Sequence, residues 1–138
     1  MSWEPLDRGT VNGGSGIRLR GRDLLKLGQL FLQRGWSGER SVVPESWVDE
    51  ATRPRFTWRK NYGAQKSVTY GMLWWVSDAS PPAFFAWGYG GQFVYVVPSR
   101  DLVVVATTEW RGLTETTPLA LAEDVLGIIG QDVAAAAR

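Results

Sequence analysis

Ala83-Phe84-Phe85-Ala86-Trp87-Gly88-Tyr89-Gly90-Gly91-Gln92-Phe93-Val94-Tyr95-Val96-Val97 places three glycines in four positions between two apolar, aromatic-rich runs. Each run has the length of a strand, and aromatic and β-branched residues suit the pleated surface of a sheet. Glycine inside a strand weakens it and marks a bulge or a close approach to the backbone. Two readings follow. The run is a β-bulge that fits a neighbouring helix, or a stretch of backbone cleared for a ligand.

Outward from this segment, Pro98-Ser99-Arg100-Asp101 reads as a tight turn with Pro well placed to open it. Leu102 to Thr108 is the next strand. Its core, Leu102-Val103-Val104-Val105-Ala106, is apolar without alternation, which predicts cover on both faces. Upstream, Tyr70 to Val76 reads as a strand and Ser77 to Pro82 as a turn. Short links between successive strands imply an antiparallel meander.

Helical signals flank the strands. Leu24, Leu27 and Phe31 share one face of a helix over 23–33, widened by Leu30, and Arg34-Gly35 ends it. Pro44 opens a second helix near Glu45 to Thr52, with Trp47, Val48 and Ala51 on its apolar face. Thr117 and Pro118 read as the N-cap and first residue of a C-terminal helix whose stripe is Leu121, Val125 and Ile128, broadened by Leu119, Ala120, Ala122 and Ile129. The predicted fold is α+β. An antiparallel sheet of three to four strands carries the C-terminal helix on one face, with two preceding helices nearby. Residues 1–138 form a single domain, with helices and loops over 1–69, strands over 70–110 and the C-terminal helix over 117–137.

Composition narrows the chemistry. The 138 residues suffice for one domain that buries about two-thirds of its unfolded surface. Net charge is +1, from 15 basic and 14 acidic residues, which gives no electrostatic footprint for nucleic acid or anionic membrane. Arg53, Arg55, Arg59, Lys60 and Lys66 interleave with Phe56, Trp58 and Tyr62, but without a wider basic field this reads as a surface loop near a cleft. The absence of histidine and cysteine excludes Ser-His-Asp and Cys-His catalysis and most zinc sites, so no metal and no cofactor is expected. Asn12-Gly13-Gly14-Ser15-Gly16 matches neither a dinucleotide nor a phosphate loop and reads as a plain turn. Apolar runs are too short to span a bilayer, and no location follows. Eight tryptophans fill the core or wall a cleft.

The order of landmarks resembles the C-terminal part of serine hydrolases of the β-lactamase and penicillin-binding type, in the class C β-lactamase-like branch. They are Gly13-Gly14-Ser15-Gly16-Ile17-Arg18-Leu19, Arg22-Asp23-Leu24 with Leu27-Gly28-Gln29-Leu30, Val42-Val43-Pro44 with Trp47-Val48, Tyr70-Gly71-Met72-Leu73-Trp74-Trp75, Gly88 to Gln92, and Val97-Pro98 with Leu102 to Val105. The resemblance implies a partial β-lactamase/transpeptidase-like fold and acyl-transfer hydrolysis of an amide, ester or β-lactam through a serine acyl-enzyme. It places Tyr89, Gly90 and Gly91 at the third family motif, on a cleft-lining strand against the substrate. The Gln92 backbone N–H becomes one of two oxyanion donors. Tyr89 stands where many relatives carry lysine, which suits a substrate without a carboxylate there.

No serine of this chain is followed three residues later by lysine, and no tyrosine by x-Asn or x-Ser. The nucleophile motif is therefore absent, and the chain supplies one wall of a site that is inactive alone. The implied partners are a missing N-terminal half or a second copy of the chain, joined through an exposed apolar patch. The rival reading is a non-catalytic binding module that retains the aromatic-rich sheet.

Overall fold

The computed structural model describes residues 1–5, 9–56, 59–63, 65–78, 80–133 and 136. A short pair, β1 (Ser2–Trp3) and β2 (Ile17–Arg18), precedes helix α1 (Gly21–Leu32). The hairpin β3 (Trp36–Ser37) and β4 (Arg40–Ser41) leads into α2 (Glu45–Ala51). Six strands follow: β5 (Lys60–Tyr62), β6 (Gln65–Tyr70), β7 (Trp75–Ser77), β8 (Ala83–Gly88), β9 (Gln92–Val97) and β10 (Leu102–Ala106). They form one antiparallel meander in the order β10-β9-β8-β7-β6-β5. Helix α3 (Pro118–Gly127) continues as a π-helical segment, Ile128–Val133.

Alternation along the central strands builds two cores. Ala83 and Phe85 of β8 and Phe93, Tyr95 and Val97 of β9 face Ala122, Leu126 and Ile129 of the C-terminal helical segment. On the opposite face, Phe84, Val94 and Val96 join Trp74, Val76 and Ala51, packed by Leu24, Phe31 and Leu32 of α1. Strand β10 divides in the same way, with Leu102, Val104 and Ala106 on the first core and Val103 and Val105 on the second. Its unbroken apolar run is thus two alternating faces, each packed on one core and half-buried. Gly28 sets the distance of α1 from the sheet: a Cβ there would lie 2.4 Å from Val103 Cγ1.

Three expectations are corrected. The sheet has six strands, not three to four, because residues 60–62 and 65–69, expected as part of an irregular loop, belong to β5 and β6. Of the buried residues of β6, Val68 is apolar but Gln65 and Thr69 are polar, as is Ser77 of β7. The polar ones are hydrogen-bonded, with Gln65 Nε2 donating to Tyr95 Oη at 3.2 Å and Thr69 Oγ1 to Phe56 O at 3.2 Å. Buried Gln65, Val68 and Thr69, with Ser67 at a φ of 56°, leave no apolar period of two for a pattern search to find. The strand expected over 70–76 is divided instead between β6 and β7. Gly71 N–H donates to Trp74 O at 2.7 Å, Met72 N–H to Ala51 O at 2.9 Å, and Leu73 takes a φ of 63°. Last, the C-terminal helix buries Ala122, Leu126 and Ile129, while Leu119 and Ile128 are exposed, and regular α-geometry ends at Gly127. The end of the expected 117–137 helix (134, 135 and 137), like Trp58, lies outside the described residues.

Candidate active site

Strands β8 and β9 close on the pair Gly88 and Gln92, so Tyr89, Gly90 and Gly91 form the three-residue loop between them. The strands end at Gly88 and begin again at Gln92, and the glycines that the resemblance puts on a cleft-lining strand stand in the hairpin turn between them. Gly91 N–H donates to Gly88 O at 3.2 Å, and Gly90, third residue of that turn, has a φ of 78°. A turn with φ above zero at its third residue selects glycine. Gly91 follows at 92°. Successive left-handed residues carry the chain into β9, and both glycines are buried, Gly90 under the Trp110 indole and Gly91 against Thr108 and Ala122.

Residues after β10 brace this turn. The Gln92 side chain donates from Nε2 to Thr108 O at 3.1 Å and to Thr108 Oγ1 at 3.0 Å, and its Oε1 accepts from Thr108 N–H at 3.4 Å. Thr108 Oγ1 in turn donates to Gly90 O. The Gln92 side chain is therefore a clamp. The Tyr89 ring is exposed and stands edge-on to Trp110, with centroids 5.0 Å apart at 89°. The Arg111 guanidinium lies 5.1 Å from the Trp110 ring centre and 3.9 Å from Glu109 Oε1. A cation thus reaches the ring that supports Tyr89.

Beside the turn, on the α3 face of the sheet, runs a groove of about 370 Å³ lined by Tyr62, Trp75, Trp87, Gly88, Tyr89, Gly90, Pro118, Leu119 and Ala122. The rings brace one another: Tyr62 meets Trp75 at 5.4 Å and Trp87 at 5.0 Å, both edge-on. Burial, with a smaller contribution from Glu123, raises the Tyr62 phenol above its ordinary value and keeps it neutral. The tryptophans divide: Trp74 is in the core, Trp75 and Trp87 line the groove, and Trp3, Trp36 and Trp47 are exposed.

The sequence-predicted residues Tyr89, Gly90, Gly91 and Gln92 thus come together in one turn and the first residue of β9. Thr108, Trp110, Arg111, Pro118 and Leu119 join them without having been picked out as site residues. The surplus of tryptophan was the one signal, and it names no position. Among the described residues, no group of three or more acidic side chains is placed to hold a metal ion, and no helix is long and apolar enough to cross a membrane.

An antiparallel meander between α1 and α3, with a glycine turn at one strand end, is the layout expected for the C-terminal part of a β-lactamase-type hydrolase. The model of the Beta-lactamase family matches residues 2–126, and the chain belongs to that family. It is similar to a 6-aminohexanoate-dimer hydrolase of Paenarthrobacter ureafaciens, at 26% identity over 106 residues, covering 74% of this chain and 26% of the relative. It also superposes on a solved Bacillus anthracis protein described provisionally as a 6-aminohexanoate-dimer hydrolase. There the TM-score is 0.59 at 23% identity, covering 75% of this chain and 26% of the other, which supports the fold. The chain spans about a quarter of the length of these relatives.

Proposed function

We propose that this chain supplies one wall of a serine acyl-transfer site that hydrolyses an amide, ester or β-lactam. The observation that carries the reading is the Tyr89-Gly90-Gly91 turn, with two successive glycines at positive φ in a chain of the Beta-lactamase family. Gly88 and Gly90 form part of the lining of the groove beside it, so a substrate lying there meets backbone. The Gln92 N–H, at the start of β9, is the oxyanion donor in this reading, held in place because its side chain is clamped on Thr108. A fixed donor aimed at a developing oxyanion contributes roughly 10²–10³ in rate. Tyr89 and Trp110 contact the substrate beside the carbonyl, and a neutral phenol suits a neutral substituent.

The serine that attacks comes from outside this chain, since none of its serines has lysine three residues on. The chain is inactive alone. Ester hydrolysis that appears only when it is mixed with a segment bearing a family Ser-x-x-Lys supports the reading. A folded complex of the two that hydrolyses no ester, amide or β-lactam overturns it. The aromatic groove favours one second reading, a non-catalytic binding module. Saturable ligand binding by that same complex without turnover selects it.

A further inference from the structure

The aromatic part of the groove, beyond the turn, is not used by the carbonyl chemistry. Trp75 and Trp87 form part of its lining with ring centres 5.5 Å apart, and Tyr62 fixes both edge-on. Pre-formed aromatic walls lose little freedom on binding, which favours a small ligand. The volume of about 370 Å³ lies in the range of small-molecule sites. An apolar cavity of roughly 150 Å³ takes benzene, so this groove holds a larger ring system or an alkyl chain. The lips, Leu119 and Tyr89, are 54% and 70% exposed, so the groove is open to entry. The backbone of Gly88 to Gly90 forms part of its lining, so the groove is continuous with the proposed carbonyl position.

We propose that this groove receives the apolar substituent of the substrate, a ring or an alkyl chain attached to an ester or amide carbonyl lying on the Gly88–Gly90 backbone. The substrate class rests on the acyl-transfer reading above, while the groove's affinity for an apolar group does not. Leu119 gates it, from the first turn of α3.

The test is a titration of the ¹⁵N-labelled chain, followed at its indole N–H signals, with N-butylbenzamide and with N-methylacetamide, which carries the same amide without the apolar groups. N-butylbenzamide is expected to move the Trp75 and Trp87 signals saturably, and N-methylacetamide to leave them in place. Leu119→Glu puts a charge on an exposed lip at a helix start where an acidic residue is favoured. The fold is retained, and binding is expected to weaken roughly tenfold. Three results overturn the proposal: no saturable shift in the folded chain, shifts indifferent to Leu119→Glu, or the same two signals moving on dilution without ligand, which assigns the groove to a second copy. The two readings fail separately. Groove binding in a complex that hydrolyses nothing removes the acyl-transfer reading and its substrate class. Hydrolysis indifferent to acyl size and to Leu119→Glu removes the groove assignment alone.

Discussion

Replacing Gly90 by alanine perturbs the turn and its brace together. Gly90 has a φ of 78°, a left-handed backbone that costs a non-glycine residue about 1–2 kcal/mol. Reduced freedom of the unfolded alanine chain offsets roughly 0.4–1 kcal/mol of that. The added Cβ would lie 2.2 Å from Trp110 Cδ1 and 2.4 Å from Cγ, so the indole must swing away. The edge-on pair of Trp110 with Tyr89 is then lost, about 0.5–1.5 kcal/mol for such a contact. The expected net destabilisation is about 1.5 kcal/mol, a fall in Tm of roughly 5 °C for a domain of this size. Urea unfolding of the wild type, Gly90→Ala, Trp110→Ala and the double variant measures it. With the indole already removed, Gly90→Ala should cost below about 1 kcal/mol, because only backbone strain remains. Equal costs in both backgrounds would show that Trp110 does not pack over Gly90. No cost in either would show that the turn is not left-handed.

Three further outcomes are expected. Tyr95→Phe takes the hydrogen-bond acceptor from the buried Gln65 Nε2 and should cost about 1–2 kcal/mol by urea unfolding. Burial, partly offset by the Gln65 hydrogen bond, raises the Tyr95 phenol above 10.0. The folded chain then keeps a proton that the unfolded chain releases, so this contribution is full below pH 10 and is lost as the pH rises beyond it. Tyr95→Phe should flatten the alkaline loss of stability. Gly28→Ala gains roughly 1 kcal/mol of helix propensity but drives a Cβ into Val103 and Val94, which costs about 1–3 kcal/mol. A net loss in the thermal unfolding midpoint is expected, and a stabilised variant would place α1 further from the sheet. Finally, β10 ends the sheet with an apolar edge free of charge and proline, which invites strand pairing. Hydrogen exchange of its amides should slow as protein concentration rises, and concentration-independent exchange would contradict self-association through this edge.

Much of the fold is legible because β8, β9 and β10 are built from apolar residues on both faces. Runs such as Phe84-Phe85 and Val103-Val104-Val105 have no other stable place than a covered sheet. Strands β5 and β6 are not legible, since Gln65 and Thr69 are inward polar residues whose partners Tyr95 and Phe56 are distant in sequence. The turn at Gly71 is hidden for a similar reason. What fixes it is the Ala51 carbonyl, which accepts from Met72 N–H and would lie 2.3 Å from a Cβ on Gly71. At the site, the glycines announce themselves by composition, because few other residues accept positive φ. Their place in a turn depends on the pairing of Gly88 with Gln92, and the roles of Thr108 and Trp110 depend on how the chain returns after β10. Spacing carries no trace of such contacts.

The chain as a wall of an acyl-transfer site with an external nucleophile is tested most directly by one labelling measurement. The chain is treated with a fluorophosphonate, alone and mixed with a family segment that carries Ser-x-x-Lys, and the adducts are located by mass spectrometry. No adduct is expected on the chain alone, and in the mixture the adduct is expected on the serine of the Ser-x-x-Lys segment only. An adduct on any of the chain's own serines, or none on the complementing serine in a folded complex, would contradict the account.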